Sequence, residues 1–352
     1  MRYSLFGESH GPAIGIVLQN VPSGMEMDMD FIRAQMARRA PGRSPLATAR
    51  NEKDEVRILS GVFEGRTCGT PLCGVIENTD TRSRDYAATR WLARPGHADF
   101  TAHLRYRGFE DYRGGGHFSG RLTAPLVFAG ALAKLALKTR GVEVLARIRS
   151  IADIEDAPLD LARPDLEALR AAGKKSFPVV DDARGEDMQK AVLDARADGD
   201  SVGGIIECFA CGLPAGLGSP DFDENIETVI ARHVFAVPAV KGLSFGAGFG
   251  FASMRGSEAN DAFVPGEHPT TRTNNNGGIN GGISNGMPVV FSVVIKPTPS
   301  IGREQDTVDM RTHEAAKLVI NGRHDPCILS RAVPVIEAAC ALALTEVPGV
   351  LA

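Results

Sequence analysis

Five loops of this 352-residue chain combine glycine with histidine, arginine, aspartate or serine. They are Gly7-Glu8-Ser9-His10-Gly11, Arg94-Pro95-Gly96-His97-Ala98-Asp99, Asp111 to Arg121 around Gly114-Gly115-Gly116, Asn274 to Pro288, and Arg323-His324-Asp325-Pro326-Cys327. Glycine lets backbone amides approach a ligand closely. Histidine exchanges protons near neutral pH, and arginine grips phosphate or carboxylate with a rigid fork. Five loops of one composition point to an enzyme for an anionic, phosphate-bearing substrate. Arg38 and Arg39 close a helical pattern just before Pro41-Gly42, from where they can reach into a site built by loops.

Other chemistries are disfavoured. No Gly-Lys-Ser/Thr phosphate loop occurs, and in Gly246-Ala247-Gly248-Phe249-Gly250 the third glycine of a dinucleotide fingerprint is displaced. That segment reads as a glycine-rich strand. Cys208-Phe209-Ala210-Cys211 sits on a strand pattern that sends its thiols to opposite faces. With Cys68 and Cys73 these are expected as unpaired thiols, and no metal is expected. His233 and His313 fall in helical patterns and read as structural or surface residues. Lys and Arg number 39 against 43 Asp and Glu, a net charge of −4. Arg33, Arg38, Arg39, Arg43 and Arg50 therefore suit a small anionic pocket better than a nucleic acid. Aromatic residues are only 6%, too few for a stacking platform. The most apolar stretch, Leu122 to Leu137, is broken by Lys134, so no membrane span is expected. The first residues lack a secretory apolar core, and six cysteines suggest reduced thiols in a cytoplasmic protein.

The elements that must hold these loops follow from periodicity. Strands are expected at Ala13–Val21, Val56–Phe63, Val142–Ile151, Gly203–Cys211, Leu243–Ala252 and Pro288–Lys296. Helices are expected at Met29–Ala40, Thr123–Arg140, Glu186–Ala197, Asp223–Phe235, Thr307–Ile320 and Val333–Thr345, with a short one inside Ala157–Arg184. Strands come in groups rather than in strict alternation with helices, which favours an α+β layered sandwich over a doubly wound sheet. No domain boundary stands out, so residues 1–352 read as a single domain, with a hint of internal duplication.

Taken together, Gly7–Gly11, Arg94–Asp99, Asp111–Gly116, Gly281-Gly282-Ile283-Ser284-Asn285-Gly286, Lys296-Pro297-Thr298-Pro299-Ser300 and Arg323–Cys327 resemble the chorismate synthase family, in order and over almost the whole chain. Asn78-Thr79-Asp80 and Arg331-Ala332-Val333-Pro334 fit as well. The resemblance implies antiparallel sheets around central helices, usually in a homotetramer. It implies a 1,4-elimination of phosphate from 5-enolpyruvylshikimate 3-phosphate to give chorismate, the last common step of the shikimate pathway. The reaction needs reduced FMN although there is no net redox change. The resemblance assigns His10 to protonation of the departing phosphate, His97 to a proton near the flavin N1, and Asp325 to the base assisting proton loss at the flavin N5. Ser9, Arg39, Arg94 and Arg121 match substrate-binding positions. His117-Phe118-Ser119, Pro238-Ala239, Gly281, Lys296 to Ser300 and Arg323 match flavin-binding positions. Some members reduce their flavin with NADPH; with no added domain, external reduction is expected here. The chain departs from the family where His117-Phe118-Ser119-Gly120-Arg121-Leu122 replaces the usual Arg-Ser-Ser-Ala-Arg-Glu, and where Pro45 and Thr48 replace arginines. A diverged flavin-binding enzyme on the same scaffold is the alternative these departures raise.

Overall fold

The computed structural model describes residues 1–42, 54–79, 89–320 and 325–351. One four-stranded sheet contains β1 (Arg2–Gly7), β2 (Ala13–Gln19), β3 (Val56–Ser60) and β4 (Leu72–Glu77), in the order β1-β2-β4-β3. A five-stranded sheet contains β5 (Glu143–Ile151), β6 (Ile154–Glu155), β7 (Gly204–Cys211), β8 (Val240–Phe245) and β9 (Val289–Ile295), in the order β8-β9-β7-β5-β6. All neighbours in both sheets are antiparallel. The longer helices are α1 (Met29–Arg39), α2 (Asp99–Tyr106), α3 (Thr123–Lys138), α4 (Leu166–Lys174), α5 (Asp182–Ala197), α6 (Ile226–Phe235) and α7 (Leu329–Leu344).

The helices α1, α3, α6 and α7 form the layer between the sheets. α3 packs on β2, β4, α1 and α7, and α7 packs on β5, β7 and α6. This is the expected α+β sandwich. α3 and α7 are apolar all round because neighbours cover them all round. The stretch 120–138 is long and apolar enough to cross a bilayer, but 78% of it is buried inside the molecule. A Cβ on Gly130 of α3 would sit 2.2 Å from the Ala338 Cβ of α7, so the two backbones meet at a contact only glycine permits. Gly74 of β4 lies against the Phe128 ring in the same way. On the outer face of the second sheet, α4 and the segment before it cover Phe209 and Val290.

Several elements differ from the sequence reading. Thr307–Ile320 is not a helix but a hairpin of β10 (Gln305–Val308) and β11 (Ala315–Leu318), so His313 lies in its turn, at φ 61°. The hairpin is fixed by its neighbours: Ala93 N–H donates to the Val308 carbonyl and Met310 N–H to the Trp91 carbonyl. The strand expected at Leu243–Ala252 ends at Phe245, and Gly248–Ser253 is a 3₁₀ turn. α7 opens at Leu329 rather than Val333; Pro334 suggests a first-turn residue but sits a turn further in. β1, β4 and α2 were not expected, whereas α4 is the short helix foreseen within Ala157–Arg184.

Charge enters the middle of the helical layer at Glu337. Glu337 of α7, 1% exposed, takes Arg38 of α1 in a bidentate pair (2.6 and 2.8 Å), the Lys134 ammonium of α3, and the Ala146 amide of β5 (3.0 Å). Burial alone would raise the Glu337 pKa, but Arg38 and Lys134 prevail and lower it to about 2. Glu337→Ala strands two buried cations and should cost about 3–5 kcal/mol in urea unfolding. Because the folded pKa is depressed, this stabilisation is present above the ordinary value of 4.5 and is lost as pH falls toward about 2. Melting temperatures across that window should fall less steeply in Glu337→Gln than in the parent; equal slopes would contradict the assignment.

Candidate active site

The tip of the β1–β2 hairpin carries Ser9 and His10, both buried. The side-chain amide of Asn78, just past β4, brackets them: its Nδ2 donates to the Glu8 carbonyl (3.0 Å) and the Gly11 carbonyl (2.9 Å). Ser9 N–H donates to the Gly116 carbonyl (3.1 Å), which docks the hairpin on the glycine triplet. Gly114, Gly115 and Gly116 have φ of 59°, 82° and 54°, three successive left-handed residues. A Cβ on Gly114 would lie 2.2 Å from the His10 ring, and one on Gly115 would lie 3.0 Å from the His97 ring. Two histidines from distant parts of the chain thus rest on adjacent glycines.

His97 belongs to the loop that leads into α2. Its Nδ1 is 2.7 Å from Asp99 Oδ1, and Arg94 grips the same carboxylate through Nε and Nη2, both at 2.7 Å. Burial opposes the Asp99 charge, but these hydrogen bonds hold its carboxyl well below the usual range. Arg94 Nη1 reaches Ser300 Oγ (3.3 Å). Lys296, at the end of β9, donates to the Gly96 carbonyl, while its own N–H donates to the Ala239 carbonyl (3.0 Å). The structure therefore unites the Arg94 loop, Ala239 beside Pro238, and Lys296 to Ser300. Pro299 also borders Gly96 and Pro297 borders Gly203. Ser9 Oγ and Thr298 Oγ1 are buried with no hydrogen-bond partner among the described residues. Such orphaned oxygens, beside Lys296 and Arg94, fit an oxygen-rich anionic ligand.

The other arginines are tied together by Asp54. Its carboxylate, wholly buried, accepts from Arg39 Nη1 (2.8 Å) and from Arg121 Nη1. Arg39 also donates to Thr123 Oγ1 (3.2 Å) and the Gly120 carbonyl (2.9 Å), and Arg121 Nε donates to Asn78 Oδ1 (3.1 Å). Burial lowers the Arg39 pKa to about 10 in spite of Asp54. Arg331 in the first turn of α7 donates to the Arg39 carbonyl (3.1 Å) and to Asp325 Oδ2 (2.8 Å). One chain of contacts thus runs from Asp325 through Arg331, Arg39, Asp54, Arg121 and Asn78 to the His10 hairpin.

Not every expected residue joins this assembly. Arg38 does not reach the loops: one helical step from Arg39, its guanidinium turns into the helical layer onto Glu337. His117 donates Nδ1–H to the Gly7 carbonyl (3.0 Å), Phe118 packs on the Tyr106 and His117 rings, and Ser119 Oγ accepts from Arg121 N–H (3.3 Å). Leu122, at the family's acidic position, is buried in the core. Gly281 turns the short hairpin Ile279–Asn280/Ile283–Ser284, whose Gly282 packs on Asn225 and Ser219. Arg323, His324, Arg43, Pro45, Thr48, Arg50 and Asp80 lie outside the described residues. Among the described residues no cluster of histidine, cysteine and carboxylate side chains could hold a metal, and Cys208 and Cys211 are buried free thiols. Sequence reasoning missed Asp54, and although it named Asp325 and the loop ending at Asp99 it did not foresee their pairing with Arg331 and His97. A histidine two residues before an acid, Asp99, was the one local signal on offer.

A family model described as chorismate synthase matches residues 1–348. A chorismate synthase of Thermococcus kodakarensis is 45% identical over 347 residues, 98% of this chain and 95% of the relative. One from Aeropyrum pernix is 46% identical over 98% of this chain and 90% of its own. A solved crystal structure titled chorismate synthase superposes with a TM-score of 0.77 at 27% identity, covering 98% of this chain and 90% of that one.

The glycine packing is open to test by a single methyl group. Gly114→Ala puts a Cβ into the His10 ring at a left-handed φ, and a displacement of about 1 Å should cost on the order of 10²-fold in turnover. Gly120→Ala, where nothing lies within 4 Å, should leave turnover within about twofold. Equal rates for both variants would remove the triplet from the site.

Proposed function

The chain belongs to the chorismate synthase family, and we propose that the loops gathered on Gly114-Gly115-Gly116 are where it performs that family's reaction. The enzyme is a lyase of aromatic biosynthesis that eliminates phosphate from 5-enolpyruvylshikimate 3-phosphate to give chorismate. The observation that carries the site assignment is the seating of His10 and His97 on neighbouring glycines.

The substrate carries a phosphate and two carboxylates. Arg39, Arg121 and Arg331 are gathered into one network by Asp54 and Asp325, three guanidinium groups of the kind an anion would meet. Ser9 Oγ, buried without a partner among the described residues, offers a hydrogen bond to a substrate oxygen. His10 donates a proton to the departing phosphate, which turns a poor leaving group into a better one. His97 holds a proton on the ring edge that faces Gly115, and Asp325, steadied by Arg331, accepts one.

Reduced FMN, when bound, supplies an electron to the substrate and recovers it, so that the elimination proceeds without net redox change. Lys296, Thr298 and Ser300 would hold it, since Thr298 Oγ1 is a buried oxygen lacking a partner among the described residues and Lys296 is a nearby cation. The exposed Phe222, Phe249 and Phe263 support association of copies into a homotetramer. Six free cysteines support a reducing, cytoplasmic setting.

An anaerobic assay with 5-enolpyruvylshikimate 3-phosphate and chemically reduced FMN should yield chorismate and phosphate in equal amounts, and none with oxidised FMN. His10→Ala and His97→Ala should each lower turnover by about 10²-fold or more with the melting temperature preserved. Parent-like turnover in both variants would sink the roles given to the two histidines.

A further inference from the structure

Resting on the reading of His97 as a proton-holding group, we propose that Asp99 is a positioning residue: it fixes the His97 tautomer with Nδ1–H on its carboxylate, so that Nε2 is the nitrogen free to exchange a proton on the Gly115 side. The geometry leaves little choice. Asp99 Oδ2 accepts from Arg94 N–H (3.1 Å) and Nε (2.7 Å), and Oδ1 accepts from Arg94 Nη2 (2.7 Å) and His97 Nδ1 (2.7 Å). Four donors occupy the four lone-pair positions of one carboxylate. Arg94 Nη2 is also 3.0 Å from His97 Nδ1, but a bare Nδ1 would turn its lone pair on the charged Asp99 Oδ1 at 2.7 Å, which is repulsive, whereas Nδ1–H donates to it. Nδ1 thus keeps its hydrogen on the acid. The opposite ring edge faces the glycine loop: a Cβ on Gly115 would lie 3.1 Å from His97 Nε2.

Arg94 acquires a different part in this arrangement. The resemblance places it on the substrate, whereas here it spends Nε and Nη2 on Asp99 and reaches Ser300 with Nη1. Arg94 locks the carboxylate, and the carboxylate locks the imidazole, which is the logic of an acid–histidine pair in which the acid orients and the histidine transfers. The charged groups around His97 are Asp99 and Arg94 on its own loop and Lys296 on the Gly96 carbonyl from the end of β9. The glycine loop adds no charge at Gly115, and His10 sits at the next glycine. Of these only Asp99 touches the ring with a negative charge, so it stabilises the protonated imidazole and opposes its two cationic neighbours.

Asp99→Asn tests the proposal with little change of shape. An amide has one acceptor oxygen, and Arg94 needs an acceptor on both sides. With its oxygen in the Oδ2 place the Asn still accepts from Arg94 N–H and Nε, while its NH₂ in the Oδ1 place leaves Arg94 Nη2 without that acceptor and can donate to His97 only at an unprotonated Nδ1. The neutral ring must then carry its hydrogen on Nε2, the reverse tautomer. The primary readout uses the full chain without ligands: the pH dependence of diethylpyrocarbonate labelling of His97, followed by mass spectrometry of its peptide. With the carboxylate charge removed from Nδ1, the His97 labelling midpoint in Asp99→Asn should lie at lower pH than in the parent. Turnover of Asp99→Asn should fall by about tenfold or more, with the alkaline limb of its pH profile moved to lower pH. Where Asp99→Asn fails to fold, the imidazole nitrogen-15 shifts of His97 in the parent decide: a neutral ring that carries its hydrogen on Nε2 overturns the proposal. So does an unchanged midpoint in a folded Asp99→Asn. Full turnover in His97→Ala overturns the proton-holding reading instead, and leaves the labelling result to judge Asp99 alone.

Discussion

A carboxylate sealed between two arginines holds the site in shape. Asp54 has no exposed side-chain surface, and its partners Arg39 and Arg121 are almost as deeply buried. Ions so far from water are tolerable only when each is paired and its remaining donors are satisfied. That requirement fixes where three elements meet: Arg39 ends α1, Arg121 precedes α3, and through Arg121 the contact extends to Asn78 beyond β4. Because Asn78 grips the carbonyls on either side of Ser9-His10, the hairpin that presents His10 takes its position in part from this ion cluster. Arg331 attaches the start of α7, and with it Asp325, to the same cluster through the Arg39 carbonyl.

The second constraint is the absence of side chains. Charge pairing sets where the elements meet, but it cannot bring two imidazoles close to one strand of backbone. Gly114 and Gly115 do that, each leaving the space a Cβ would occupy to a histidine ring. The left-handed run turns the chain sharply enough for Gly116 to offer its carbonyl to Ser9. A similar economy operates at Gly130, where α3 and α7 approach within the reach of a methyl group. Cations and glycines thus answer different questions, one about which elements join and the other about how closely they approach.

This division explains what could be read from the sequence. α1, α3 and β9 are legible because their apolar positions record burial, and Asp28 marks the start of α1 as Gly141 marks the stop after α3. The loops with His10, His97 and Asp325 are legible as composition. The hairpin at β10–β11 is not: Glu314, Ala315, Ala316, Lys317 and Leu318 favour helix locally, and pairing against Trp91 to Ala93 overrides them. Asp54 is illegible for another reason. It lies 15 residues from Arg39 and 67 from Arg121, separations that leave no local pattern. Arg38 and Arg39 are adjacent in sequence and equal in chemistry, yet the helix sends them to opposite tasks, one onto Glu337 and one onto Asp54.

The commitment of the arginines bears on how an anion would be recognised. Arg39 and Arg94 do not wait as open forks; each is engaged by protein acceptors. Their value to an incoming phosphate or carboxylate is then chiefly a standing field rather than a closing grip. Arg39, Arg121 and Arg331 are held in one cluster by Asp54 and Asp325. A field built from groups already locked in place needs no reorganisation when charge moves from carbon–oxygen bond to departing phosphate, and in a poorly solvated site it acts at full strength. Flexible lysines on the surface could supply the same net charge, but not the same fixed direction. The structural cost of burying ion clusters is therefore matched to a reaction whose difficult moment is the separation of a highly charged leaving group.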